Sequence, residues 1–167
     1  KATGARVAAV FELASYFGAQ GVENTLPFHK GGTIDCGGVA VTMVHAVHSS
    51  SLGEAGSPVY MGGEAGFMIG LDGETLYIMG DTDVHSDMAL FQELHAPDYA
   101  IVPIGGHFTM DPHRAAFACK KFFDLKAAIP SHYQTFPMLA QSADAFVEKM
   151  APTKVIVPTV MEPVTLA

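Results

Sequence analysis

The chain has no tryptophan, two cysteines and few charges, 16% of 167 residues. Cys36 and Cys119 stand far apart and form no CxxC pair. They supply neither a disulfide framework nor a zinc-ribbon pattern, and a reducing, cytoplasmic setting is the expectation. Positive charge is scarce: nine Lys and Arg face 17 Asp and Glu, for a net charge of −8. That argues against a broad nucleic-acid or anionic-membrane surface, so neither nucleic acid nor membrane is an expected partner. No apolar run reaches the roughly 18 residues of a membrane span. No internal repeat, low-complexity tract or linker divides the sequence.

What is present is apolar and well patterned. Hydrophobic residues make up 49% of the chain, enough for a buried core and too many for a disordered one. The simplest organisation is one domain over residues 1–167. The opening Lys1-Ala2-Thr3-Gly4-Ala5 reads as the last turn of a helix leaving through a left-handed glycine. This suggests that an N-terminal piece precedes it; a frayed terminus is the plainer alternative.

Strands and helices then alternate. Arg6–Val10 is predicted as a strand and Glu12–Phe17 as a short helix closed by Gly18. Residues 20–32 read as a loop. Thr33–Cys36 and Val39–Val47 form a hairpin across Gly37-Gly38, and Ser49–Gly63 reads as a long loop. Gly66–Leu71 and Glu74–Met79 form a second hairpin across Asp72-Gly73. A helical period runs from Asp87 to His95. Tyr99–Ile104 is a buried strand, and Asp111-Pro112 caps and starts a helix to about Phe123. Ala127–Pro130 is a strand, Ser142 caps a helix to Met150, and Lys154–Val157 is the last strand. Two hairpins followed by β-α alternation predict an α/β chain with a mixed sheet and helices packed outside it.

Eight histidines are a rich supply. His48, Asp81, His107 with Thr109, and His132 each follow a predicted strand, where α/β sheets place ligands. A carboxylate among neutral imidazoles suits Zn²⁺ or Mn²⁺. Each signal also has a bland explanation. A histidine at a strand end is usually packed or solvated, and Gly80-Asp81-Thr82 suits an Asx-turn equally well. His45 reads as packing or as a support for a neighbouring ligand. His85, His95 and His113 read as surface residues, and Cys119 as core. Ser49-Ser50-Ser51 lacks a nucleophile elbow, and no glycine-rich loop carries a phosphate fingerprint.

Order and spacing are more specific. Val47-His48-Ser49, Tyr77-Ile78-Met79-Gly80-Asp81-Thr82 and Pro130-Ser131-His132-Tyr133 together resemble the second half of the metallo-β-lactamase superfamily. Met61-Gly62-Gly63-Glu64-Ala65-Gly66-Phe67 and Ile104-Gly105-Gly106-His107-Phe108-Thr109-Met110 look closest to its UlaG-like branch, the uncharacterised metal-dependent hydrolases related to the ascorbate-phosphate lactonase. The resemblance implies an αββα four-layer sandwich, here mostly its C-terminal half, and two divalent ions, Zn or Mn. His48 and His132 would each bind one ion and Asp81 would bridge them. A hydroxide between the ions would attack an ester, lactone or phosphoester. Asp81 and His107 are the candidate catalytic residues, and His107, Thr109 and Tyr133 the candidate substrate contacts. The family's His-x-His-x-Asp-His motif is absent from this sequence. The expectation is therefore an incomplete, inactive chain that needs a missing N-terminal segment or a partner chain, acts on a small molecule when complete, and forms a homo-oligomer. A non-catalytic binding module with the same fold is the alternative.

Overall fold

A computed structural model describes residues 2–53 and 56–166. Its centre is a seven-stranded mixed sheet in the order β11-β10-β9-β8-β7-β4-β3. The antiparallel half is built from β3 (Thr33–Asp35), β4 (Ala40–His45), β7 (Ala65–Leu71) and β8 (Glu74–Ile78). The parallel half adds β9 (Tyr99–Pro103), β10 (Ala127–Ser131) and β11 (Lys154–Val155). Both predicted hairpins are present. Asp72 and Gly73 lie at φ 53° and 83°, the left-handed pair that a two-residue turn between twisted strands requires.

Three helices cover one face of the sheet: α2 (Met88–His95), α3 (Pro112–Phe122) and α4 (Asp144–Met150). Registered residues Met68, Tyr77, Ala100 and Ala128 run across that face. They pack with Met88 and Phe91 of α2, Ala115 and Cys119 of α3, and Phe146 and Met150 of α4. Alanines on α3 let it approach closely, while Phe146, fully buried, fills the volume beside it. Truncating Phe146 to alanine would cost roughly 3–5 kcal/mol. The next registered row, Phe67, Ile78, Ile101 and Ile129, lies on the opposite face and is half-buried. The Phe28 ring, 6.3 Å from that of Phe67, covers part of it.

Several expectations need correction. Residues 20–32 are not all loop: β2 (Thr25–Pro27) pairs in parallel with β1 (Val7–Ala9), and α1 (Phe11–Ala19) joins them. The α1 helix runs through Gly18, and the first left-handed residue after it is Gly21. The segment 49–63 contains a small hairpin of β5 (Ser51–Leu52) and β6 (Val59–Tyr60). The cap position of α4 is Ala143; the Ser142 hydroxyl only accepts a long 3.4 Å bond from the Asp144 N–H. Ala2 and Thr3 form a turn rather than helix, although Gly4 is left-handed as expected. Lys1, and Glu54 and Ala55 of the expected loop, lie outside the described residues. Asp111 caps α3 as predicted, its Oδ1 accepting the Arg114 N–H at 2.7 Å. Among the described residues no helix is long and apolar enough to cross a membrane.

Candidate metal centre

Strand direction collects the candidate residues at one end of the sheet. Strands β4, β8, β9 and β10 run the same way, so the segments that follow them meet above their C-terminal ends. Asp81 lies beyond β8, His107 and Thr109 beyond β9, and His132 just beyond β10. His48 does not end its strand: β4 stops at His45, three residues earlier.

Asp81 and His132 come together. His132 Nε2 stands 3.7 Å from Asp81 Oδ2. That is too long for a hydrogen bond, but within the span of two donors each about 2.0–2.2 Å from a shared ion. Local backbone geometry enforces the pairing. Gly80 has φ 67°, and a Cβ there would sit 2.7 Å from the Ala65 carbonyl oxygen. Only glycine turns the chain so tightly between β8 and Asp81. His132 itself is left-handed at φ 55°, and its Nδ1 is buried with no protein partner. A Cβ on Gly105 would fall on the His132 carbonyl oxygen and 2.9 Å from Nδ1. The bare Gly105 therefore leaves space for the histidine to fold back, with Nε2 free to face Asp81. Residues held in this way gather at ligand clamps.

Thr82 binds the ends of β4 and β8 together. It is fully buried. Its Oγ1 accepts the Val47 N–H at 2.9 Å and donates to the Asp83 carbonyl at 2.8 Å, while the Asp83 N–H bonds the Val47 carbonyl at 3.1 Å. The turn that carries His48 is thus anchored beside the Asp81 turn. His48 remains exposed; its Nδ1 lies 3.0 Å from the Ser49 carbonyl oxygen, and its backbone N–H donates to Glu64 Oε1 at 3.4 Å. Burial pushes the Glu64 carboxyl up, but bonds from the Glu64 and His48 backbone N–H groups, with Lys30 and His45 nearby, leave it below its usual range. Among the described residues no group of three or more His, Cys, Asp or Glu side chains is gathered closely enough to hold a metal. Asp81 and His132 fit a divalent ion as hard and borderline donors; His48 stands near their turn without completing a cluster.

The other candidates are arranged unequally. His107 is exposed and left-handed at φ 46°, its ring centroid 4.5 Å from that of Phe108. The Thr109 N–H bonds the Gly106 carbonyl at 3.0 Å, closing the same tight loop. Tyr133 is half-buried and packs against the helix-side core. His113 is exposed and Cys119 buried, as expected. His85 is not the surface residue that its sequence context suggests. Both its ring nitrogens are buried without protein partners, and its ring packs edge-on to His45 at 5.3 Å and to Phe91 at 5.7 Å. Sequence reasoning also missed Glu64 and Lys30. The only local trace of Glu64 is its position in Gly62-Gly63-Glu64, immediately before β7.

The chain is similar to known proteins in sequence and in fold. A family model described as "Beta-lactamase superfamily domain" matches residues 1–133. A UPF0173 metal-dependent hydrolase of Dinoroseobacter shibae is 53% identical over 167 residues, covering 99% of this chain and 72% of the relative. The chain belongs to the metallo-β-lactamase superfamily. Igni18, described as a novel metallo hydrolase from the hyperthermophilic archaeon Ignicoccus hospitalis, is 30% identical with a TM-score of 0.86, over 99% of this chain and 70% of that one. The metallo-beta-lactamase fold protein YhfI of Bacillus subtilis aligns with a TM-score of 0.58 over 80% of this chain and 52% of its own, at 12% identity. At that identity the likeness shows the superfamily fold alone. The α/β metallo-β-lactamase fold that the motif resemblance implied is thereby established.

Proposed function

We propose that the chain is the metal-binding part of a metal-dependent hydrolase acting on a small ester, lactone or phosphoester. The observation that carries this is the 3.7 Å approach of His132 Nε2 to Asp81 Oδ2. Membership of a superfamily with relatives called metal-dependent hydrolases supports it. Asp81 and His132 would hold a divalent ion, Zn or Mn, with His48 as a further ligand; the Asp81 carboxylate has a second oxygen for another ion. When bound, such an ion polarises a carbonyl or phosphoryl oxygen and lowers the pKa of water to about 7. The residues do the rest. Thr82 and Gly80 fix the Asp81 turn, and Gly105 sets the imidazole. His107, exposed beyond β9, would contact the substrate and exchange a proton with it, and Thr109 lies in the same loop. Tyr133 would contribute an edge of its ring.

A panel of p-nitrophenyl acetate, bis-p-nitrophenyl phosphate and a γ-lactone tests the activity. Turnover of at least one that is abolished by a chelator and restored by Zn²⁺ or Mn²⁺ supports the proposal. Turnover unaffected by chelation contradicts it.

A second reading is favoured by one observation: among the described residues no three metal-binding side chains are gathered. On that reading the fold serves as a non-catalytic binding module. It requires metal binding no tighter in the native chain than in Asp81→Ala, as measured by calorimetry.

A further inference from the structure

Lys30 reaches the edge of the candidate metal centre only through its charge, which helps lower the Glu64 carboxyl. It is half-buried, and its Nζ lies 3.2 Å from His45 Nδ1. An ammonium only donates, so His45 Nδ1 is the acceptor and its ring proton sits on Nε2. The ion pairs formed within 4.0 Å among the described residues involve Arg114, Lys126 and His132, not Lys30. Its hydrogen-bond partner is thus an imidazole, and the Glu64 carboxylate on which its charge acts lies beyond ion-pair distance.

This cation borders a cavity. Between α2 and the β3–β4 edge lies a groove of about 400 Å³. Lys30, Thr33, Thr42, His45 and His95 contribute its polar side chains, and Phe91 and Leu94 much of its apolar wall; no acidic side chain lines it. The Thr33 and Thr42 hydroxyls are 2.7 Å apart, one of them donating to the other and leaving a second hydroxyl proton to offer. Phe91 is buried and Leu94 exposed. Apolar walls with a few convergent polar groups, in this size range, are the usual make-up of a small-molecule site.

We propose that this groove binds a small organic carboxylate with an apolar body. The carboxylate pairs with the Lys30 ammonium and accepts from the threonine hydroxyls, and the hydrocarbon packs on Phe91 and Leu94. A single cation without an arginine fork or a backbone anion nest suits a monoanion better than a phosphate dianion. Another groove, of about 390 Å³ beside α3, carries more lysines: Lys120, Lys121 and Lys149 around Phe117. There Lys120 is already committed, donating to the Lys149 and Ala151 carbonyls at 3.2 and 3.0 Å.

The test is a titration of ¹⁵N-labelled full chain with sodium octanoate, followed by NMR, with octylamine and 1-octanol as charge controls. The expected result is saturable shifts at Lys30, Thr42, His45 and Leu94. Affinity should be roughly tenfold weaker in Lys30→Gln, retained in Lys30→Arg, and weaker for both control ligands. Leu94→Glu tests the site without disturbing the core, because Leu94 is 73% exposed; it should repel octanoate to a similar degree. Octanoate shifts centred on Phe117 overturn the proposal. So do unchanged affinity in Lys30→Gln and Leu94→Glu, octanol binding as tightly as octanoate, and the absence of any binding.

Discussion

His132 folds its Nδ1 back against Gly105 and presents Nε2 3.7 Å from the Asp81 carboxylate. The space that permits this is one missing methyl group. Gly105→Ala should therefore displace the imidazole and destabilise the fold by about 1–3 kcal/mol. Gly70→Ala, where the nearest atoms would lie 3.8 Å away or more, should change stability by less than about 1 kcal/mol. Urea unfolding of both variants checks the contrast.

Thr82→Val keeps the shape of a fully buried side chain and removes its hydroxyl. The Val47 N–H then has no acceptor, which costs roughly 1–3 kcal/mol. By comparison Arg114→Leu breaks a two-pronged pair with Asp83 at 3.1 and 2.7 Å. Both of its side chains are about half exposed, and the expected loss is under about 1 kcal/mol and shrinks in salt. Chemical denaturation at low and high ionic strength separates the two.

Burial lowers the proton affinity of His85 below its ordinary value of 6.5, and the neighbouring His45 lowers it further. The folded state then binds this proton less readily than the unfolded chain. The associated stability is present above pH 6.5 and is lost as pH falls through the depressed folded value. The melting temperature should fall between pH 7.5 and 5.5, and His85→Phe should flatten that decline. An identical pH profile for wild type and variant contradicts the assignment.

The two cysteines should differ sharply. Cys36 is exposed. Cys119 is buried, and burial pushes its thiol up to about 12. A thiol reagent should label one cysteine in the native chain and both after denaturation. Rapid native labelling of both would show that α3 is not packed as described.

The parts of the fold legible in the sequence are those written in local chemistry. Asp72-Gly73 marks its hairpin and Asp111-Pro112 its helix start, because turn and cap geometry depend on neighbouring residues. The Gly80-Asp81 strand end is ambiguous on local chemistry alone, and Asp81 and His132 become candidates only through the order of motifs that resembles the superfamily. Strand β2 escaped because three residues ending in Pro27 carry no alternation, and β5 and β6 because two-residue strands have none to show. His48 looks like a strand end in sequence because Ala46 and Val47 continue the apolar run after β4 stops. The Lys30–His45–His85 contacts and the Glu64 bond to His48 join distant segments, and no local pattern records them. The row of Phe67, Ile78, Ile101 and Ile129 likewise becomes one surface only once the strands are in register.

Asp81 and His132 are proposed to share a metal. Elemental analysis and Zn²⁺ or Mn²⁺ titration of the native chain, Asp81→Ala, His132→Ala and the exposed-histidine control His113→Ala test it most directly. Metal binding should be present in the native chain and the control, and weakened more than roughly a hundredfold in both ligand variants. Full metal content in Asp81→Ala and His132→Ala alike would contradict it.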